Sequence, residues 1–146
     1  MKMLFLSKKK VLPFLLLFLV DFFIIIGFAY AQEIVIAGNP AAPSISAEDI
    51  KRIYLGFVKA LPDGTPVKLL IMKGVPEIFY SKVVGLSRKD FRTHWLTKAL
   101  SGEGIPPREA EEDEIVSLIK SDKGAIGVIS ADRARKEGLK ILLEIK

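Results

Sequence analysis

The sequence predicts an α/β fold: a mixed sheet of about four to five strands flanked by helices. Two observations carry this. The apolar runs EIVIAG, VKLLIMK, AIGVIS and LKILLEI have the length and side-chain type of strands. Between them lie segments with apolar residues at i, i+3 and i+4, the spacing of amphipathic helices. Strands and helices interleave, as they do where helices cover a sheet.

Residues 33–40, EIVIAGNP, are an apolar run stopped by Gly38-Asn39-Pro40, so a strand leads into a loop. AAPSIS continues that loop. Ser46 with Asp49 three residues on is a capping signature. The helix it opens carries Ile50, Ile53, Tyr54 and Phe57 at i, i+3, i+4 and i+7, with Gly56 near its end. LPDGTP, 61–66, is a turn by composition. The strand VKLLIMK, 67–73, is apolar on both faces from Leu69 to Met72, which predicts a central place.

Pro76 suits the first turn of a helix carrying Ile78, Phe79 and Val83, and Gly85 breaks it. Ser87 with Asp90 repeats the capping pattern, and Phe91 and Trp95 share a face of the next helix, which SGEG stops. PPREAEEDE leads into a helix with Ile115, Leu118 and Ile119, followed by Gly124. AIGVIS (125–130) and LKILLEI (139–145) complete the strands. The predicted core is Ile53, Tyr54, Leu70, Phe79, Trp95, Ile119 and Ile126.

Residues 1–31 read as a leader rather than as part of the fold. A basic start, MKMLFLSKKK, precedes a long apolar stretch, and Ala29-Tyr30-Ala31 is a small-x-small site before Gln32. That is the layout of a cleaved secretory signal peptide. The rival is an uncleaved N-terminal membrane anchor. Asp21 weighs against it, since a carboxylate near the centre of a spanning helix costs about 2.5–3.5 kcal/mol. Export, and a periplasmic place in a Gram-negative-type cell, is the expectation. With no cysteine, no lipid is attached at the cleavage site and no disulfide forms.

The leader holds four of the 22 basic residues and one of the 17 acidic ones. The remaining 115 residues, enough for one domain, therefore carry a net charge of about +2 rather than +5. That is an ordinary surface and no nucleic-acid footprint. Internal repeats and low-complexity tracts are lacking in the sequence.

Enzyme chemistry has little to work with, and no cofactor is expected. The absence of cysteine and the single histidine exclude thiol chemistry and multi-histidine metal sites. A hydrolase would have to use His94, with Asp90 one helical turn before it, yet no serine stands in a G-x-S-x-G elbow. The acidic run Glu109 to Glu114 lacks the spacing of a calcium loop, and its carboxylates offset a helix start. Arg133, Arg135, Lys136 and Lys140 read as a solvated face, with a docking patch as the alternative.

One constellation points to a ligand. Open α/β sheets gather ligands outside the carboxyl ends of their strands. Those ends are Gly38-Asn39, Lys73-Gly74 and Ile129-Ser130, with Ser44 and Ser46 in the loop after the first strand. The candidate binding residues are Asn39, Ser44, Ser46, Lys73, Gly74 and Ser130. They offer a cation, hydroxyls, an amide and backbone N–H groups at helix starts. The alternative is that they are ordinary turn and cap residues.

AEDIKRIYLGFVKALPDGTPVKLLIMKG, followed about fifty residues on by GAIGVI, resembles the phosphate ABC transporter substrate-binding proteins of the type 2 periplasmic-binding-protein superfamily. Ile53-Tyr54-Leu55-Gly56, Asp63-Gly64, Phe79 and Gly124-Ala125-Ile126-Gly127 stand in the order and spacing of that family's pattern. The match covers most of residues 33–130. The resemblance implies a single lobe of such a fold over 32–146, where full-length members have two lobes that close on the anion. It also implies phosphate as a ligand, bound weakly, and an ABC permease or a periplasmic sensor as a partner.

The chain departs from the family where phosphate is held. The family carries an arginine and a Ser/Thr/Gly-rich loop after the equivalent strand; here the loop is Lys73-Gly74-Val75-Pro76-Glu77. Val75 has no hydroxyl and Pro76 no N–H. Glu77 places negative charge where a helix start favours an anion, and Lys73 lacks arginine's fork. Val128 replaces a tyrosine. The sequence thus predicts an exported non-enzyme that is a weak small-ligand binder or an interaction module. The alternatives are a phosphate binder that completes its cleft by dimerising, and the His94 hydrolase.

Overall fold

The computed structural model describes residues 32–146; the leader and its cleavage site lie outside the described residues. Five strands form one mixed sheet: β1 (Ile34–Gly38), β2 (Lys68–Met72), β3 (Arg108–Ala110), β4 (Ala125–Ser130) and β5 (Lys140–Ile145). Their order is β3-β2-β4-β1-β5. β2 runs parallel to β3 and β4, whereas β1 is antiparallel to both of its neighbours. The expected mixed α/β sheet flanked by helices is what the chain adopts.

β1 and β4 are buried along their whole length, which explains their unbroken apolar runs. In the sequence the β3 residues fall within PPREAEEDE, which leads into a helix. β3 is a three-residue edge strand whose Arg108 and Glu109 are exposed, so no apolar pattern marks it.

Helix α1 (Ala47–Tyr54) starts at Ser46, whose hydroxyl accepts the Asp49 N–H at 3.1 Å. Helix α2 (Arg88–Leu100) starts in the same way, with Ser87 accepting from Asp90 at 3.0 Å. Helix α3 (Glu112–Ser121) and the short α4 (Ala131–Lys136) follow β3 and β4. Between β2 and α2, Tyr80–Val84 form one π-helical turn closed by Gly85 at φ +70°. Pro76 precedes that turn, and its carbonyl accepts the Phe79 N–H.

Every residue of the predicted core is buried. Phe79 is its aromatic hub, edge-on to Tyr54 at 5.3 Å, Tyr80 at 5.0 Å and Phe91 at 6.3 Å. Phe57 was expected on the same apolar face but is 60% exposed. The helix stops at Tyr54, and Gly56 at φ +77° turns the chain away before Phe57 is reached.

The GAIG run has a packing explanation. A Cβ on Gly124 would lie 2.0 Å from the Pro66 carbonyl oxygen. One on Gly127 would lie 2.4 Å from the Ile115 side chain, where α3 crosses the sheet. Tyr54 is fully buried and its hydroxyl faces the carbonyls of Leu70 and Ile126, on β2 and β4. Burial raises its pKa far above the ordinary phenol value.

Candidate functional site

The carboxyl ends of β2, β3 and β4 lie side by side, because these strands are parallel. They bring Lys73, Gly74 and Ser130 to one end of the sheet. β1 runs the other way: Ile34 pairs with Ser130 and Gly38 with Ile126. Asn39 therefore sits beyond the opposite end, roughly 13 Å away along the strands, and the loop carrying Ser44 and Ser46 leaves the sheet from there. The six candidate residues form two groups rather than one. An antiparallel first strand carries no local mark in the sequence, so the error was one of topology and not of residue type.

The second group is engaged in structure. The Asn39 amide donates to the carbonyls of Ile119 (2.9 Å) and Lys120 (3.2 Å) at the end of α3, and its oxygen accepts the Ala41 N–H. Ser46 caps α1. Ser44 is exposed, in a loop tied down by the Lys140 ammonium on the Ala42 carbonyl at 2.7 Å.

At the first group, four successive carboxylates beyond β3 go to four different partners. Glu111 pairs with Lys73 at 3.1 Å. Glu112 accepts both the N–H (2.8 Å) and the hydroxyl of Ser130. Asp113 pairs with Arg133, which raises the arginine's pKa, and Glu114 pairs with Arg108. This sorting accounts for the acidic run and for part of the basic group near the C-terminus. Among the described residues, no cluster of acidic and histidine side chains is arranged to hold a metal ion.

The Glu112–Ser130 contact decides what this end can do. The polar hydrogens of Ser130, which an incoming anion would need, already face a carboxylate of the chain itself. The loop after β2 is similarly closed. The Glu77 carboxylate accepts the Arg88 N–H at 3.1 Å, and the Arg88 guanidinium donates to the Val75 carbonyl at 2.5 Å. Gly74, at φ +71°, has open space above it. Lys73 is paired with Glu111, while Glu77 is held by Arg88 and Glu112 by Ser130. Sequence reasoning missed Arg88 and Glu112, which lie 13 and 18 residues from their partners.

His94 has a structural task. Its Nε2 lies 2.7 Å from the Leu55 carbonyl oxygen, so that nitrogen carries the proton and donates. The neighbouring Trp95 donates its indole N–H to the Tyr54 carbonyl at 3.0 Å. The two side chains satisfy the last carbonyls of α1.

No family model matches the sequence, and no curated protein matches it significantly. Two solved structures are similar in fold. One is described as a possible phosphate binding protein from Planctomyces limnophilus: TM-score 0.51, 13% identity, covering 76% of this chain and 40% of that one. The other is an ABC-type phosphate transport receptor from Vibrio cholerae: TM-score 0.48, 15% identity, covering 76% and 45%. The chain thus spans less than half the length of either. At 13% identity the first likeness is one of fold alone: an architecture like that phosphate-binding-protein structure, of single-lobe size. It agrees with the fold that the sequence motifs implied.

Proposed function

We propose that the chain is an exported, binding-protein-like module that serves a membrane transporter or a periplasmic sensor through contact, and that does not by itself enclose phosphate. The fold supports a binding-protein-like module, and the leader sequence supports export. The observation against enclosed phosphate is Glu112, whose carboxylate holds the N–H and hydroxyl of Ser130 at the strand ends. Lys73, at the end of the neighbouring strand, is paired with Glu111. An inorganic anion would have to displace both carboxylates in the open solvent of a single lobe.

Titration calorimetry with inorganic phosphate at low salt tests the ligand. The expected dissociation constant is millimolar or weaker, about 4 kcal/mol of binding free energy or less. Micromolar binding by the monomer overturns the reading. Micromolar binding that rises with dimer formation replaces it with a cleft completed by a second copy. Titrating the immobilised chain with a solubilised ABC permease and with periplasmic sensor domains tests the partner. Mass spectrometry tests export: the mature chain begins at Gln32, whereas an intact Met1 chain in the membrane pellet means an anchor.

A further inference from the structure

The opposite end of the sheet holds a cavity of about 560 Å³. It exists because β3 is short. Pairing of β2 with β3 begins only at Leu70, so the edge of β2 at Lys68 and Leu69 is uncovered. Ile53, Leu69, Leu70, Trp95, Pro106 and Leu118 line the space. The cavity is open to solvent on one side, and its volume falls in the range of small-molecule sites.

The charged side chains of the lining are Lys59, Lys68, Arg108 and Asp122, three cations and one carboxylate. Lys68 is neutralised by Asp122 at 2.7 Å, and Arg108 pairs with Glu114. Lys59 makes no ion pair among the described residues and is exposed. Ile105, also in the lining, is 89% exposed. Apolar walls offer inorganic phosphate nothing, and a lysine offers a neutral hydrocarbon nothing. Together they fit a molecule with an apolar body and one negative end.

We propose that this cavity binds a monoanionic amphiphile, a straight-chain carboxylate, with its tail against Trp95 and Leu70 and its carboxylate at Lys59. The site is separate from the strand ends at Lys73 and Ser130, so it stands whether or not phosphate binds there. Burying the tail removes apolar wall and tail surface from water. The ammonium then selects the sign of the head group.

Trp95 is the only tryptophan, so its emission reports the cavity directly. Dodecanoate, dodecanol and dodecylamine, each below its micelle concentration, are titrated into the full mature chain. The expected result is a saturable change with dodecanoate, at an affinity about tenfold or more above the other two. Lys59→Glu should weaken dodecanoate by at least about tenfold, while Lys146→Glu, at the C-terminus, leaves it unchanged. Val67→Phe, which fills part of the space, should weaken all three ligands. Circular dichroism checks that each variant is folded. The proposal is overturned by no saturable change with dodecanoate, by an equal response to dodecylamine, or by equal affinities in the two lysine variants. An emission change that follows protein concentration alone, with a dimer in sedimentation, puts a second copy in the cavity and also overturns it.

Discussion

The Glu112 carboxylate accepts the backbone N–H of Ser130 at 2.8 Å and also its hydroxyl, joining the first turn of α3 to the start of α4. A carboxylate from the chain thus stands where an anion would meet the end of β4. Both hydrogen bonds go to a charged acceptor in a half-buried setting. Such bonds contribute about 1.5–3 kcal/mol each, and neutral ones about 0.5–1.5. Glu112→Gln keeps an acceptor and should lose about 1 kcal/mol in urea unfolding. Glu112→Ala keeps none and should lose about 2–3 kcal/mol. An alanine variant within about 0.5 kcal/mol of wild type, the range of plain surface positions, would show the contact to be incidental.

Phe79 is fully buried and touches three aromatic rings. Phe79→Ala should cost about 3–5 kcal/mol, because the surrounding rings cannot all collapse into the space. Denaturant unfolding measures it. A change of less than about 1 kcal/mol would mean that the turn around Tyr80–Val84 repacks freely.

The legibility of the sequence divides along a physical line. Both serine caps, the apolar helix faces and four of the five strands could be read, because each is written in residues a few places apart. β3 could not, since its pairing with β2 is long-range and its side chains are polar. Phe57 was misplaced because a helical period continues past Gly56 while the backbone does not. The candidate site was legible only in part. Lys73, Gly74 and Ser130 share a sheet end, but Asn39 and Ser46 do not, because β1 runs antiparallel. What closes the site, Glu112 on Ser130 and Arg88 on Val75, joins residues far apart in sequence and leaves no local signature.

Acid should weaken the fold at its salt-bridged turns. Asp63 accepts from Lys123 and from the Thr65 N–H, which lowers its pKa from 3.8 to about 2. Asp122 is lowered by Lys68 and the Gly124 N–H, and Glu137 chiefly by Lys120. A depressed folded-state pKa means that the unfolded chain binds the proton first. Stability from these groups is therefore complete only above about pH 5 and is lost progressively as pH falls through 4 towards 2. The groups lie at the surface, so solvent and salt screen the effect. Thermal unfolding between pH 5 and pH 2 should show a falling midpoint, with a shallower fall in Asp63→Asn. An equal slope in the variant would remove Asp63 from the acid response.

The sharpest test of the strand ends is to rebuild them. Val75→Ser, Pro76→Gly and Glu77→Ser together restore hydroxyls and an N–H to the loop after β2. They also remove the carboxylate that holds the Arg88 N–H and lies 3.5 Å from its guanidinium, leaving that fork closer to free. Val75 is 3% exposed, so the triple variant should be less stable than wild type. Each new hydrogen bond to a charged phosphate oxygen contributes about 1.5–3 kcal/mol, which is about tenfold or more in affinity. The triple variant should therefore bind phosphate at least about tenfold more tightly than wild type in low-salt calorimetry. Adding Glu112→Gln should tighten it again, since the carboxylate held on Ser130 is gone and Ser130 can turn its hydroxyl to the ligand. A gain in the triple variant but none from Glu112→Gln would place the anion on the β2 loop alone. No gain in either would mean that the strand ends are scaffold only, and that whatever this fold serves is met at another surface.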